Sequence, residues 1–445
     1  MTEKLSAFSA SRDSGLRLIA LLDGRVVGGV YQDPRSRLRF TYEESWRLAD
    51  NAYPLSLSMP LTATEHRHLA VEAYLWGLLP DSERTLNHYA RTFSVSARNP
   101  VALLANIGAD CAGAVQFVPP ERVHELEGQS TTVHVEWIDE QEIARELRSA
   151  KETGVPGQNR RTAGRFSLAG AQPKVAFFHK EGAWGRPIGR TPTTHILKPP
   201  SNDYPGFAEN EHLCLDLAAE LGLNAAASTV RTFAGEIAIV VERFDRLAVE
   251  GGYRRIHQED ACQALSVLPL NKYESDGGPG IAAIVALIQE ASLDPEKDTA
   301  RFIDAVILNW VLAATDAHAK NYAFIHLPGG GVRLAPFYDI ASYLPYANRG
   351  LHEIKLAMRI GKEYRVRRVA LAHWKALAAS AKLAEEYVVS RIERLLPLIP
   401  AATETVSQRA VRQGLNDEIV TSLAFRIIER NQECMECVTA GKNAA

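Results

Sequence analysis

The chain has 445 residues and sets 50 Lys and Arg against 53 Asp and Glu, a formal net charge of −3, which excludes a nucleic-acid coat or a membrane-surface protein acting through bulk basic charge. A hydrophobic fraction of 46% with 23% charged residues is that of an ordinary globular protein, and no stretch is long and apolar enough to span a bilayer. Five scattered cysteines imply no disulfide framework and fit a reducing cytoplasm, the opening MTEKLSAFSASRDSG lacks a signal-peptide core, and the length leads one to expect about three domains.

Residues 16–44 read as a small antiparallel sheet. LRLIALL is a strand, Asp23-Gly24 a hairpin turn, RVVGGVY the return strand and LRFTY a third. PLSLSMPL (54–61) alternates apolar residues with serine and reads as extended. AVEAYLWGLLPDSERT (70–85) is a helix broken at Pro80. NPVALLANIG is helical and AGAVQFV returns as a strand. This α+β region carries no catalytic constellation of its own and is expected to serve packing or partner docking.

A charged connector follows, with the helix DEQEIARELRSAK and then the mobile composition of KETGVPGQNRRTAGR. Its Arg160, Arg161 and Arg165 suit a phosphate, an acidic partner or simply solvent. In RFSLAGAQPKVAFF (165–178) strand-like residues flank a small-residue turn, with Lys174 opening the return strand. Such a turn can offer the backbone N–H groups of Ser167, Leu168, Ala169 and Gly170 to nucleotide phosphates. An ordinary hairpin reads the same way.

TTHILKPP places Lys198 at the end of an apolar strand, where a kinase keeps the lysine that meets the α- and β-phosphates. In the helix FAENEHLCLDLAAELGL (207–223), Glu211, Cys214, Leu215 and Ala218 share one face. A carboxylate on a buried face is costly unless paired, so Glu211 is the expected partner of Lys198, with Glu209 second. IAIVVERFDR reads as the strand entering an interlobe hinge, its backbone near Glu242 and Phe244 meeting adenine. A buried strand with an exposed end is the plainer alternative. Beyond residue 255 the chain turns helical: HQEDACQALSVL opens a helix, KYESDGGPG is a Gly-rich loop, and IAAIVALIQEAS, VALAHWKALAASAKL, EEYVVSRIERLLPLI and NDEIVTSLAFRIIERN are helices of a bundle. Cys434 and Cys437, an isolated C-x-x-C, read as tail residues rather than a zinc site.

The most informative stretch is WVLAATDAHAKNY (310–322). An apolar helical run ends in Asp316, His318, Lys320 and Asn321, and RLAPFYDIAS adds Asp339. An Asp, an Asn five residues on and a second Asp beyond a strand is the order phosphoryl transfer needs. The first accepts the proton of the attacking hydroxyl, and Asn321 and Asp339 hold magnesium on ATP. His318 and Lys320 join the nucleotide-facing groups. Each residue alone is equally a solvated group at a helix end, but a helix C-terminus gains nothing from an Asp, and the ordered set is harder to dismiss. The reading is α+β: a bilobal protein-kinase-like fold with an extra N-terminal α+β subdomain and an all-helical C-terminal lobe. The N-terminal subdomain and connector occupy 1–150, the N-lobe 151–250 and the C-lobe 251–445.

SLAGAQPK, TPTTHILKPP, VVERFDR, QEDACQ, KYESDGGPGI, ATDAHAKN and PFYDI, in this order, resemble the HipA family, as do PLSLSMPL, LLPDS and GADCAGAV. The likeness runs from about residue 16 to beyond 400. It implies a bacterial serine/threonine protein kinase acting as the toxin of a type II toxin–antitoxin module and using ATP and Mg2+. The partners it implies are a HipB-like helix-turn-helix antitoxin, operator DNA reached through that complex, and a protein substrate, an aminoacyl-tRNA synthetase by the best-known members (glutamyl-tRNA synthetase). It places the protein in the cytoplasm, on the nucleoid when bound to antitoxin, with no membrane partner. Asp316 matches the family's catalytic residue, Asn321 and Asp339 its metal ligands, Lys198 its ATP lysine, and Ser167 the serine whose autophosphorylation ejects the loop and silences the kinase. Thr315 precedes Asp316 where protein kinases have H-R-D, and Ile and Ala follow Asp339 where D-F-G is usual; both departures belong to the HipA pattern. Two other classes stay open: a small-molecule kinase, and a corepressor whose kinase has lapsed.

Overall fold

The computed structural model of the chain describes residues 15–128, 133–154, 166–201, 204–347 and 350–443. Arg160, Arg161 and Arg165 of the connector lie outside the described residues.

The N-terminal unit is a five-stranded sheet in the order Glu65–Arg67, Leu38–Tyr42, Arg25–Gln32, Leu16–Leu22, Val115–Val118, every pair antiparallel. Its first turn bends where expected. Asp23 and Gly24 both take left-handed φ, +47° and +79°, the geometry that matches the twist of a two-residue hairpin. Helices His68–Gly77 and Pro100–Ile107 cover one face, burying Tyr74, Leu75, Leu103 and Leu104 with Phe40 and Phe117. The helix expected over 70–85 ends at Gly77, and a second, Glu83–Phe93, starts after Pro80 with Ser82 as its N-cap. The stretch 54–61 is not a strand. Ser56 and Met59 close a tight turn, and Ser56 Oγ donates to Glu259 at 2.5 Å across to the C-lobe.

The second unit is a six-stranded sheet in the order Ser228–Phe233, Glu236–Glu242, His195–Lys198, Val175–Lys180, Ala183–Pro187, Val135–Ile138. Its last strand and the helix Glu140–Thr153 come from the stretch assigned above to the N-terminal subdomain and connector. Asp139 caps that helix through Glu142 N at 2.8 Å, and the helix buries Ile143, Leu147 and Ala150 against Val175, Phe177, Trp184 and Leu197. Residues 133–154 therefore pack with the N-lobe. The amphipathic helix needs an apolar partner, and this sheet supplies it.

The third unit is mainly helical, built on Pro295–Val311, Leu371–Ser380, Glu385–Leu395, Ile399–Arg412 and Asp417–Asn443. Trp310 and Trp374 meet edge to face at 5.5 Å in its core. It also carries strands that helical periodicity did not foresee: Gln258–Asp260, Ala323–His326 and Val332–Leu334 form one sheet, and Lys355–Ile360 pairs with Glu363–Arg365. The helix expected over 257–268 is thus a strand followed by one turn, Ala261–Ala264, capped by Asp260. Cys434 is a core residue of the last helix rather than part of a loose tail. No described helix is long and apolar enough to cross a membrane.

A buried ion cluster joins the first two units. Asp110 Oδ1 accepts from Arg246 at 2.8 Å and Arg255 at 3.2 Å, and its Oδ2 from the N–H and hydroxyl of Thr193 at 3.0 and 2.7 Å. Asp245 accepts from Arg243 at 2.9 Å, from Gly113 N at 2.7 Å and from Gln258 at 3.0 Å. Burial alone would raise both carboxyl pKa values. The guanidinium groups of Arg246, Arg255 and Arg243 prevail at Asp110 and lower it to about 2, and those of Arg243 and Arg246 prevail at Asp245 and lower it too.

Candidate active site

The helix Pro295–Val311 delivers the polar knot to one end of the molecule. Its chain reverses at Ala313, which takes φ +49°. A short loop follows, closed by His318 N and by Asn321 Nδ2, each donating to the Asp316 carbonyl at 2.8 Å. Asn321 thus uses its amide nitrogen to hold the loop and keeps its amide oxygen available. The Asp316 carboxylate projects outward, 66% exposed, and the Tyr273 hydroxyl donates to it. His318 is buried with its ring edge-on to Tyr273 at 5.0 Å; burial lowers its pKa, so the ring is neutral.

Lys198 ends the central strand of the N-lobe sheet. Its Nζ lies 2.7 Å from Glu211 Oε1 and 2.7 Å from Asp339 Oδ1. Burial acts to lower the lysine pKa, but the two carboxylates overcome it and raise it, so the ammonium is fixed. Asp339 moves down to about 2, burial opposing and Lys198 prevailing. Glu211 moves up, because burial outweighs its single contact with Lys198, and its Oε2 has no hydrogen-bond partner. Asp339 stands at φ +58°. A non-glycine residue held there stores strain, which is common where a side chain must be aimed.

The loop 166–174 is not the hairpin turn expected. Phe166 forms a parallel bridge with Asp110 and Gly170 one with Pro80, so the loop takes its backbone partners from the N-terminal unit instead of from a sister strand. Leu168, Ala169 and Gly170 face the cavity, and Lys174 Nζ donates to the Ala169 carbonyl at 2.8 Å. Ser167 does not face it. Its side chain points away, 1% exposed, and donates to the Leu78 carbonyl at 2.7 Å.

These groups line one cavity of about 640 Å³ that also holds Asp316, His318, Lys320, Asn321 and Asp339. Glu242 and Phe244 border it, but the Glu242 N–H is engaged by Ala227 O at 2.9 Å. Phe244 lies against Tyr338, ring centres 5.8 Å apart, giving the wall an aromatic surface. Among the lining residues that escaped the sequence reading are Asp81, Lys272, Tyr273 and Tyr338. Asp81 belongs to the N-terminal unit, yet it pairs with Lys320 at 2.6 Å and Lys272 at 2.9 Å, and its N–H donates to the Gly170 carbonyl. The N-terminal subdomain therefore completes the cavity instead of only packing beside it. LLPDS held Asp81 and KYESDGGPG held Lys272 without signalling their meeting.

Asp339 and the Asn321 amide offer the hard oxygen donors magnesium takes, and Lys198 offers a fixed cation for phosphate. No three His, Cys, Asp or Glu among the described residues are arranged around a metal. A magnesium ion shared with a nucleotide needs only one or two protein oxygens, so the donor set fits.

The chain resembles known proteins over most of its length. The HipA N-terminal domain family matches residues 18–118, and the HipA-like C-terminal domain family matches residues 166–403. Y4mE of Sinorhizobium fredii, named as a kinase, is 36% identical over 376 residues, covering 84% of this chain and 88% of its own. The serine/threonine-protein kinase toxin HipA of Shewanella oneidensis is 29% identical over 377 residues, 82% of this chain and 83% of the other. In solved structures, the Shewanella HipA in complex with HipB and operator DNA superposes with a TM-score of 0.81 at 24% identity, covering 96% and 99% of the two chains, which establishes the shared fold.

Proposed function

The chain belongs to the HipA family of serine/threonine-protein kinase toxins, and from that premise we propose which residues carry its reaction and on what partners. The observation that supports the assignment best is the meeting of Lys198, Glu211 and Asp339 at 2.7 Å contacts in the cavity that also holds Asp316. When bound, ATP with magnesium supplies the transferable phosphoryl group and offsets its charge. Asp316, exposed at the cavity mouth, accepts the proton of the incoming serine or threonine hydroxyl. Asn321 and Asp339 would hold the magnesium. Lys198, steadied by Glu211, meets the phosphates, and the backbone of Leu168, Ala169 and Gly170 covers them. His318 and Lys320 shape the phosphate end, and the aromatic wall of Phe244 and Tyr338 receives the adenine, the Glu242 N–H being already engaged by Ala227.

Regulation and partners follow the family. Ser167 must leave its seat on Leu78 before it can accept a phosphoryl group. Once modified it carries about −1.5 to −2 charges, which the buried seat cannot take back unpaired. The loop then stays out and nucleotide binding falls. A HipB-like antitoxin binds the chain and carries it to operator DNA, as in the Shewanella assembly, and the protein substrate is an aminoacyl-tRNA synthetase, glutamyl-tRNA synthetase first. Mass spectrometry on the chain and on Asp316→Ala, followed by ATP calorimetry, tests the switch. Phosphate on Ser167 only when Asp316 is intact, with weakened ATP binding, is the expected result. Phosphate in both forms, or unchanged affinity, contradicts it.

A further inference from the structure

KYESDGGPG has no task so far beyond the tie of its Lys272 to Asp81, and the structure places its tyrosine on Asp316. The Tyr273 hydroxyl donates to the Asp316 carboxylate, the contact that the acceptor hydroxyl makes during transfer. The tyrosine is not a side chain that has merely drifted there. On one side Lys272 is tied to Asp81 at 2.9 Å. On the other, Glu274 accepts from the Arg359 N–H at 2.7 Å and pairs with its guanidinium at 2.9 Å. The glycines of the motif wrap the loop closely enough to hold this posture: a Cβ on Gly278 would lie 2.0 Å from the Asn271 carbonyl oxygen, and one on Gly280 would lie 2.4 Å from the Glu274 carboxylate. The ring is braced edge-on by His318 at 5.0 Å. Burial and the adjacent carboxylate raise the phenol pKa, so the hydroxyl stays protonated and remains a donor.

We propose that Tyr273 is a gate on the base: it occupies the acceptor's place on Asp316 until a protein hydroxyl displaces it. The proposal rests on Asp316 being the base. Without the gate, water can take the same place, give its proton to Asp316 and attack the γ-phosphorus, releasing phosphate and ADP. Such futile hydrolysis is what an exposed carboxylate beside bound ATP invites, and a phenol held by the fold suppresses it at the cost of one hydrogen bond to be broken by the true acceptor. Tyr273 acts through Asp316, so it is a positioning residue.

The test measures ATP hydrolysis by the full chain without added protein acceptor, in wild type, Tyr273→Phe, Asp316→Asn and the double variant. Tyr273→Phe should hydrolyse ATP about threefold to tenfold faster, the scale of one released hydrogen bond. A merely structural tyrosine would lower the rate or leave it. The double variant should fall to the level of Asp316→Asn. A second readout needs no nucleotide: acetylation of Tyr273 by N-acetylimidazole, followed by mass spectrometry, should be slow in wild type and faster in Asp316→Ala. If Asp316→Asn abolishes hydrolysis but Tyr273→Phe does not raise it, the gate is wrong and the base stands. Equal acetylation of Tyr273 in both forms also overturns the gate. If Asp316→Asn hydrolyses ATP like wild type, the base assignment itself has failed.

Discussion

Two clusters in this molecule are both rich in charge and differ in how completely they are satisfied. At the join between the N-terminal unit and the six-stranded sheet, all four oxygens of Asp110 and Asp245 accept hydrogen bonds, and three arginines surround them with little exposure. In the cavity, Glu211 leaves an oxygen and His318 a nitrogen without partners, Asp339 is held in left-handed backbone, and Asp316 faces solvent. Saturated charge fixes geometry, because removing either partner strands a buried ion. Unsaturated charge is the capacity to bind and react. The pKa directions alone do not separate the two, since Asp110 and Asp339 both move down to about 2. Partner counts and exposure do.

The comparison breaks first where it predicts the largest effect. Asp110→Ala leaves the buried Arg255 guanidinium without a carboxylate and Arg246 with Asp245 alone, and should cost about 3–5 kcal/mol of stability, read as a lower denaturant midpoint. A loss below about 1 kcal/mol would mean the cluster does not hold the units together.

Asp339→Asn should act the other way round. It removes a hard anionic ligand and the charge facing Lys198, so the magnesium needed for half-maximal phosphotransfer should rise at least about tenfold, while the denaturant midpoint moves by less than in Asp110→Ala. An unchanged magnesium titration would place the metal elsewhere.

Acid should act on both clusters alike and also on a third buried group, His257, whose Nε2 lies 2.9 Å from the Leu55 carbonyl. Burial lowers His257 to about 3, so between that value and the unfolded value of about 6.5 the unfolded state binds the extra proton. Its contribution is whole above about pH 6.5 and is lost as pH falls. The depressed carboxylates Asp110 and Asp339 add stability above about pH 4, lost as pH falls toward 2. The melting temperature should be level near neutrality, sag below about pH 6.5 and drop steeply below about pH 4. His257→Asn should make the first decline shallower; an identical curve would remove His257 from the explanation.

The smallest effect concerns the contact between regions. Asp81→Asn keeps shape but removes the charge shared by Lys320 and Lys272. A several-fold change in the KM for ATP is expected, with a loss of stability smaller than in Asp110→Ala because the introduced amide oxygen can still accept from one of the lysines. No change would make this ion pair incidental to the cavity.

What was legible in the sequence was what lies close along the chain or repeats with a period. Asp316 and Asn321 sit five residues apart on one loop, and Glu211 declared itself by being acidic on an apolar helix face. Asp81 and Lys320 meet across a separation of 239 residues, and nothing local to either announces the other. The loop around Ser167 read as a hairpin because its composition suits one, while its real partners are Leu78 and Asp110, supplied by another unit. The strand Val135–Ile138 has no fully buried residue, so it lacked the alternation by which an edge strand might be told from a connector.

The central claim is that the unsaturated cluster performs phosphoryl transfer with Asp316 as its base. The most direct measurement is transfer from labelled ATP to purified glutamyl-tRNA synthetase by the full chain and by Asp316→Ala, with a melting curve of each. Asp316 is exposed and sits outside any helix or strand, so the account predicts an unchanged melting temperature and transfer lower by about 10²–10⁴-fold. A variant that melts like the wild type and still transfers phosphate at a comparable rate would contradict it.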